Sequence, residues 1–281
     1  MREIDVKLIR DAICSMVQKI NIEYPSDICE SMEQALSQED HPIARSTLEF
    51  LMKNAEIAKA EKLPICQDTG MAVVFLNIGQ DVHLVGGSLQ QAVNDGVALG
   101  YEQGYLRKSV VNDPLFARIN TKNNTPAVLY TSIVEGDKVE IELGAKGFGS
   151  ENMSTITMLK PAQGIEGVKN AVLSAIQNAG PNACPPMVVG VGIGGNFEIS
   201  AYLAKKALLR EVGSHSKIEY IKELEDELLE KVNKTGIGPQ GLGGKTTVLG
   251  LNIETFATHI AGLPVAINIS CHVTRHGEKV I

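Results

Sequence analysis

The chain changes character at residues 63–70, LPICQDTG, which are followed by the strand-like run AVVFLNIG at residues 72–79. Before this junction, apolar side chains recur at helical spacing between residues 3 and 20, with Ile4 and Leu8 on the apolar face. Further helices are predicted from Ser26 to about Gln38 and from Pro42 to about Lys62. The first 62 residues therefore form a predicted helical region.

After the junction, strand-like and helical segments alternate with Gly-rich stretches. Residues 127–134 and 138–143 are strand-like and are joined by Glu135-Gly136-Asp137, which predicts a hairpin. The other predicted segments are helices over about 88–104, 164–178, 197–212 and 216–233, and strands at MVVGVG (187–192), TTVLGLNI (246–253) and LPVAINIS (263–270). The sequence predicts a mixed α/β (α+β) fold with a helical N-terminal region and a Gly-rich α/β region, forming one domain over residues 1–281.

Composition excludes several classes of protein. The 281 residues are 44% hydrophobic and 21% charged, which is typical of a globular protein rather than a disordered one. The formal net charge of −7 argues against general nucleic-acid binding, which needs a basic face. No apolar run reaches the roughly 18 residues of a membrane helix, and the amphipathic N-terminal segment, which carries acidic residues, is unlike a signal peptide. We therefore expect a cytoplasmic protein with neither nucleic acid nor membrane as a partner.

The five cysteines fall into two groups. Cys14 and Cys29 lie within the first two predicted helices, where we expect them to pack in the core as small hydrophobic residues. Cys66, Cys184 and Cys271 lie at chain reversals or strand ends, where loops converge on sites. Three thiolates could hold an iron–sulfur cluster with one iron free of protein ligands, or zinc with an open position. Their spacing matches no local metal motif.

Two Gly-rich segments invite a nucleotide-binding interpretation. Residues 190–195 fit GxGxxG after a strand and before a helix, with Glu211 about 20 residues further on, which leaves a nucleotide-binding oxidoreductase as an alternative. The next predicted element is another helix rather than a parallel strand, so a tight strand-to-helix turn near an anion is the competing interpretation. Residues 243–246 end like a P-loop, but Pro239 replaces its first glycine. Lys245 could still contact an anion.

Three side chains are candidates for acid–base or carboxylate chemistry. Asp68 lies two residues from Cys66, and His259 lies in a loop between two predicted strands. A lone histidine is more often structural than catalytic. Arg107 could clamp a carboxylate through two parallel hydrogen bonds, or it could be an ordinary surface arginine.

Three motifs together carry a resemblance to a known family. They are ICQDTG at 65–70, KGFGSEN at 146–152 and THIAGLPVAINISCH at 258–272. The chain resembles the class I (iron–sulfur) fumarate hydratases and the related L-tartrate dehydratases over nearly its whole length. In single-chain members a further C-terminal domain follows this region. The chain ends at Ile281, so it is more similar to the alpha subunit of the two-subunit form, with a beta subunit supplying the rest of a hetero-oligomer.

The resemblance implies a hydro-lyase that interconverts fumarate and L-malate, with L-tartrate as the alternative substrate. It implies a [4Fe–4S] cluster held by Cys66, Cys184 and Cys271, with a cluster iron acting as a Lewis acid. It further implies that a small dicarboxylate substrate contacts Gln67, Asp68, Arg107 and the backbone at Gly149, with His259 close by. Asp68 and His259 are the implied catalytic residues. A non-catalytic assembly subunit with structural or zinc-bound cysteines remains open as a third class.

Overall fold

The computed structural model describes residues 1–281, which form a mixture of helices and strands. The chain divides into two compact units. Unit 1 comprises Met1–Pro25, Asn54–Phe148 and Arg275–Ile281, and unit 2 comprises Ser26–Lys53 and Gly149–Thr274. The predicted mixed α/β class is confirmed, whereas a single catalytic domain over residues 1–281 stays a prediction.

The helices and strands follow one another as the periodicity mostly predicts. The helices are α1 (Val6–Ile22), α2 (Ser26–Gln38), α3 (Pro42–Glu61), α4 (Leu89–Gln103), α5 (Phe148–Glu151), α6 (Gly164–Ala179), α7 (Phe197–Ala207) and α8 (Glu219–Asn233). The strands are β1 (Arg2–Asp5), β2 (Met71–Gly79), β3 (Val82–Val85), β4 (Val128–Val134), β5 (Val139–Lys146), β6 (Thr155–Leu159), β7 (Met187–Gly194), β8 (Val248–Phe256), β9 (Leu263–Ser270) and β10 (His276–Val280). None of the helices has both the length and the apolar composition needed to cross a membrane.

The first helix begins later than predicted. The Asp5 side chain caps α1 by accepting a hydrogen bond from the Lys7 N–H at 2.9 Å. The preceding residues form β1, which pairs in parallel with β3 and buries Ile4 in a strand rather than in a helix. Leu8 lies within α1 but outside its buried face, which includes Ile9 and Ile13, so its predicted place on the apolar face is wrong.

The two helical cysteines are less buried than predicted. Cys14 is half-buried, and Cys29 is exposed. The buried face of α2 is formed by Ile28, Met32 and Ala35, and Cys29 points about 100° away from Ile28 around the helix. The core-packing prediction is therefore wrong for Cys29.

The main sheet of unit 1 has the strand order β10-β5-β2-β4. The predicted hairpin of β4 and β5 is wrong, because β2 lies between them, parallel to β4 and antiparallel to β5. Residues 73–76 of β2 are all buried, so this strand takes a central place. The predicted turn instead crosses the end of β2, where a Cβ on Gly79 would lie 2.3 Å from the Gly136 carbonyl oxygen.

Helices α1 and α4 pack against each other in unit 1 through small residues. A Cβ on Gly96 would lie 2.5 Å from the Arg10 carbonyl oxygen, and one on Gly100 would lie 2.8 Å from that of Cys14. The two glycines thus allow the helix backbones to approach closely. Buried side chains of both helices, such as Ile13 and Val97, complete the core with the sheet.

The main sheet of unit 2 has the order β6-β9-β7-β8, in which β7 and β8 are parallel and β9 is antiparallel to its neighbours. Helices pack on both faces of β7. Its odd-numbered residues, such as Val189 and Val191, join the core with α6 and α8. Gly190 and Gly192 of β7 face α7, since a Cβ on Gly192 would lie 2.0 Å from the Ser200 carbonyl oxygen. Helix α7 ends at Ala207 and α8 begins at Glu219, so both are shorter than predicted.

Candidate active site

The 65–70 loop of unit 1, which carries Cys66, Gln67 and Asp68, is anchored at its start. The Ile65 N–H donates to the Asn21 carbonyl at 2.9 Å, and the Asn54 side-chain amide donates to the Ile65 carbonyl at 2.8 Å. Ile65 itself is buried. The residues that follow are more open: Cys66 is half-buried and Gln67 is exposed. The loop therefore presents its polar residues from a fixed base.

The end of the 65–70 loop is anchored by a buried tyrosine. The Tyr101 hydroxyl donates towards the Thr69 carbonyl at 2.7 Å and the Gly70 carbonyl at 2.9 Å. Burial raises the pKa of Tyr101, so the hydroxyl keeps its proton and remains a donor. The Asn124 side chain also donates to the Gly70 carbonyl, at 3.0 Å. The end of the loop is therefore fixed by hydrogen bonds from two side chains, Tyr101 and Asn124.

The structure brings Arg107 to this loop. The Thr69 hydroxyl donates to the Arg107 carbonyl at 2.8 Å, which ties the two segments together. The Arg107 side chain is exposed, so its guanidinium is available to a ligand rather than buried in a structural ion pair. The predicted substrate residues Gln67, Asp68 and Arg107 therefore lie on two segments of unit 1 that are joined by a hydrogen bond.

The Asp68 carboxylate is held by backbone N–H groups. Its Oδ1 accepts from the Gly70 N–H at 3.1 Å, and its Oδ2 accepts from the Phe148 N–H at 2.8 Å. The Asp68 carbonyl accepts from Arg275 Nη2 at 2.6 Å. The side chain and the backbone of this predicted acid–base residue are therefore both fixed.

Unit 2 brings Cys184 and Cys271 together. The His272 N–H donates to the Cys184 carbonyl at 3.2 Å, which joins the residue after Cys271 to the Cys184 loop. Cys184 adopts a left-handed conformation (φ 51°, ψ 63°) and is exposed, while Cys271 is half-buried. Cys66 lies in unit 1. No three His, Cys, Asp or Glu side chains are grouped as a metal site, so the three-cysteine ligand set stays a prediction.

A second side chain supports the Cys184 loop. The Gln240 backbone N–H and its side-chain amide both donate to the Pro185 carbonyl at 2.7 Å. Gln240 itself has a positive φ of 53°, which is uncommon for a residue with a side chain. Its place in the sequence, among glycines between Gly236 and Gly244, gave no indication of this contact.

The predicted substrate contact Gly149 lies in unit 2 on an open surface. Gly149 is exposed, and a Cβ added there would meet no atom within 4 Å. Two residues later, Glu151 pairs with Lys205, whose Nζ lies 2.6 Å from Oε1, and accepts from the Asn268 amide at 2.9 Å. Burial lowers the pKa of Lys205, although the Glu151 carboxylate opposes this shift. These contacts tie the segment after Gly149 to α7 and β9.

His259 lies at the opposite end of the unit 2 sheet from the cysteine pair. Its loop joins the end of β7, since the Thr258 hydroxyl donates to the Gly195 carbonyl at 2.8 Å. Cys271 follows Ser270, which pairs with Val188 at the start of β7. The 8 residues of β7 separate its ends by about 23 Å at roughly 3.3 Å per residue. Within unit 2 the structure therefore does not bring exposed His259 to Cys184 and Cys271.

The GxGxxG pattern has a packing explanation. Its first two glycines, Gly190 and Gly192, lie inside β7 against α7, rather than in a turn beyond the strand. Asn196 caps α7 with its own side chain, which accepts from the Ile199 N–H at 3.0 Å. The second helix, α8, is followed by β8, which does pair in parallel with β7. The dinucleotide fingerprint requires one helix between the two parallel strands, whereas two helices, α7 and α8, separate β7 from β8.

Lys245 contacts an anion that belongs to the protein. Its ammonium lies 2.6 Å from an Asp40 carboxylate oxygen and donates to the Gln38 carbonyl at 3.1 Å. This ion pair lowers the pKa of Asp40. The lysine is thus explained by a surface contact within unit 2.

The sequence did not predict the side chains that donate hydrogen bonds to the backbone carbonyls of the 65–70 loop, which are Tyr101, Asn124 and Arg275. Tyr101 lies on the apolar face of α4, where an aromatic residue predicts only core packing. Arg275 gives no sequence signal of burial, because arginine is mostly exposed in proteins. Asn268 gives a weak signal, as a polar residue within the otherwise apolar strand β9.

Comparison with known proteins identifies the family of the chain. Residues 10–280 match the family described as fumarate hydratase (fumerase). A Methanocaldococcus jannaschii protein, provisionally named L(+)-tartrate dehydratase subunit alpha, is 42% identical over 279 residues, which cover 97% of each chain. The L(+)-tartrate dehydratase subunit alpha of Escherichia coli is 32% identical over 280 residues, which cover 98% of this chain and 91% of the relative, and its Shigella sonnei namesake gives the same figures. The chain belongs to the fumarate hydratase (fumerase) family.

Proposed function

We propose that the chain is the alpha subunit of a hydro-lyase that interconverts fumarate and L-malate by reversible hydration. The observation that carries this proposal is the family match over residues 10–280. The hydrogen bonds that fix the Asp68 carboxylate in the 65–70 loop support it. Relatives of nearly equal length carry the name of a dehydratase alpha subunit, which supports the same reaction type.

The proposed cofactor is a [4Fe–4S] cluster with Cys66, Cys184 and Cys271 as ligands. The donor chemistry fits, because thiolates are the usual cluster ligands and all three cysteines are exposed or half-buried. Three protein ligands leave one iron open, and that iron would supply a Lewis acid for the substrate hydroxyl and carboxylate.

The residues of unit 1 have distinct proposed roles. Dehydration removes a proton from a carbon next to a carboxylate, which adds negative charge to a dianionic substrate. The exposed Arg107 guanidinium would bind a carboxylate and offset this charge. Asp68 would take part in proton transfer from its fixed position, and Gln67 would donate a hydrogen bond from its exposed amide.

Two further residues keep their predicted roles as proposals. The Gly149 backbone would contact the substrate, and its open surroundings leave room for one. His259 would act as an acid–base residue. Within unit 2 the length of β7, about 23 Å, separates its loop from the cysteine pair, so His259 would act on a substrate group remote from those two cysteines.

The remaining proposals concern the assembly. We infer a beta subunit that completes the active site in a hetero-oligomer, because the relatives are named as alpha subunits. In this assembly residues 1–281 would act as one catalytic domain. The substrate is a small dicarboxylate, with neither nucleic acid nor membrane as a partner, and the proposed location is the cytoplasm.

L-tartrate is the second candidate substrate, and the names of the relatives favour it. The reaction type is the same for both, and L-tartrate differs from L-malate by one additional hydroxyl group. The chain, co-expressed anaerobically with its beta subunit and reconstituted with iron and sulfide, should convert fumarate to L-malate. If the complex converts L-tartrate but does not convert fumarate, L-tartrate is the substrate. Turnover of neither, by a complex that holds its cluster, would overturn the hydro-lyase proposal.

A further inference from the structure

Arg275, just before β10, is buried beneath the 65–70 loop with only 4% of its surface exposed. Its guanidinium donates to two acceptors on different segments. Nη1 lies 3.1 Å from the Asn21 side-chain oxygen on α1, and Nη2 lies 2.6 Å from the Asp68 carbonyl. The planar fork of an arginine suits such a bridge, because it holds its donors in fixed directions.

The buried charge on Arg275 is held by neutral acceptors rather than by a salt bridge. Both acceptors are neutral, none of the salt bridges includes Arg275, and its buried Nε–H has no hydrogen-bond partner. Arg210 in unit 2 provides the contrast, because its guanidinium pairs with Glu225 and Glu254. Burying a charge without a salt bridge is unfavourable, and a residue that only fills space would avoid it.

Arg275 acts on the same residue that the 146–148 segment holds from the other side. The carboxylate of Asp68 accepts from the Phe148 N–H, while its carbonyl accepts from Arg275. A Cβ on Gly147 would lie 3.1 Å from Asp68 Oδ2 and 3.9 Å from Arg275 Nη2. Arg275 is itself fixed, since its carbonyl accepts from the Ala145 N–H of β5 at 3.2 Å.

We propose that Arg275 is a positioning residue for the hydro-lyase reaction. Its guanidinium bridges the Asn21 side chain and the Asp68 carbonyl, and so fixes the Asp68 carboxylate for proton transfer. This inference rests on the proposed function. The role requires both ends of the guanidinium bridge. A lysine would keep the charge but offers a single compact ammonium, which reaches one acceptor at a time.

The test compares Arg275→Lys and Arg275→Met with Arg210→Met, a control that removes an arginine from the other unit. Hydrogen exchange is measured at the Gly70 and Phe148 amides, which donate to the Asp68 carboxylate. Arg275→Met should make both amides exchange faster. It should also lower kcat by about 10–100-fold, which is the usual effect of mutating a residue that supports an active-site group, and change KM less. Arg275→Lys should fall between wild type and Arg275→Met. Arg210→Met should leave both amides protected.

Wild-type exchange at both amides in folded Arg275→Met and Arg275→Lys, with unchanged kcat, would overturn the inference. If Arg275→Met fails to fold, Asn21→Ser removes one acceptor and should give the same faster exchange; normal exchange there would also overturn the bridge. The exchange measurement needs no turnover. An inactive wild-type complex would therefore refute the proposed function, while the exchange result would still decide the role of Arg275 in fixing the loop.

Discussion

Removing one hydroxyl from Tyr101 should loosen the 65–70 loop without disturbing the core around it. The ring is fully buried, and its hydroxyl donates towards the Thr69 and Gly70 carbonyls. In Tyr101→Phe the Gly70 carbonyl keeps the Asn124 amide as a donor, whereas the Thr69 carbonyl loses the Tyr101 donor. An unsatisfied buried acceptor costs about 1–3 kcal/mol, and we expect about 2 kcal/mol here.

Local hydrogen exchange measures this loss directly. If the loop opens as a local unit, about 2 kcal/mol corresponds to roughly 30-fold faster exchange in a peptide spanning residues 63–72, since 1.36 kcal/mol is a factor of ten. Tyr220→Phe is the matched control, because that side chain is 63% exposed and should change nothing. Exchange within threefold of wild type in a folded Tyr101→Phe protein would refute the claim that this hydroxyl anchors the loop.

Two further predictions separate function from stability. Asp68→Asn should lower kcat by about 100-fold or more, because a carboxamide cannot act as a general acid or base near neutral pH and its NH₂ group would face a backbone N–H donor. Steady-state kinetics on the cluster-loaded complex check this, and a near-normal kcat would exclude Asp68 from proton transfer. Gly149→Ala should keep wild-type thermal stability and lower activity, whereas Gly192→Ala should destabilise by about 1–3 kcal/mol because its Cβ would overlap the Ser200 carbonyl oxygen. Thermal melts of both variants test this prediction. Equal melting temperatures would contradict the assignment of Gly149 to substrate contact and of Gly192 to close packing.

Local sequence signals predicted most of the elements but not how the strands pair. The apolar run of β2 and the glycine that follows α6 mark their elements correctly. The hairpin prediction for β4 and β5 failed because a short turn between two strands implies pairing only when no other strand competes. The doubly buried β2 does compete, and it pairs with both. Strand order is a tertiary property that spacing along the chain does not encode.

The site could be predicted in part, for similar reasons. The motif at residues 65–70 indicated Cys66 and Asp68, and the strand ends indicated Cys184 and Cys271. The structure joins the latter two through the His272 N–H. Arg275 could not be predicted, because a lone arginine in sequence is by default exposed. Its role follows only from burial and from acceptors on distant segments.

The iron and sulfide content of single cysteine variants tests the central claim most directly. The chain with its beta subunit, reconstituted anaerobically, should be brown and hold about four irons per alpha subunit. Cys66→Ser, Cys184→Ser or Cys271→Ser should remove or degrade the cluster and abolish hydration, whereas Cys14→Ser or Cys29→Ser should leave the cluster and hydration intact. A full cluster with normal turnover in any of the first three variants would contradict the proposed ligand set. A colourless wild-type complex that hydrates fumarate would contradict the cluster itself.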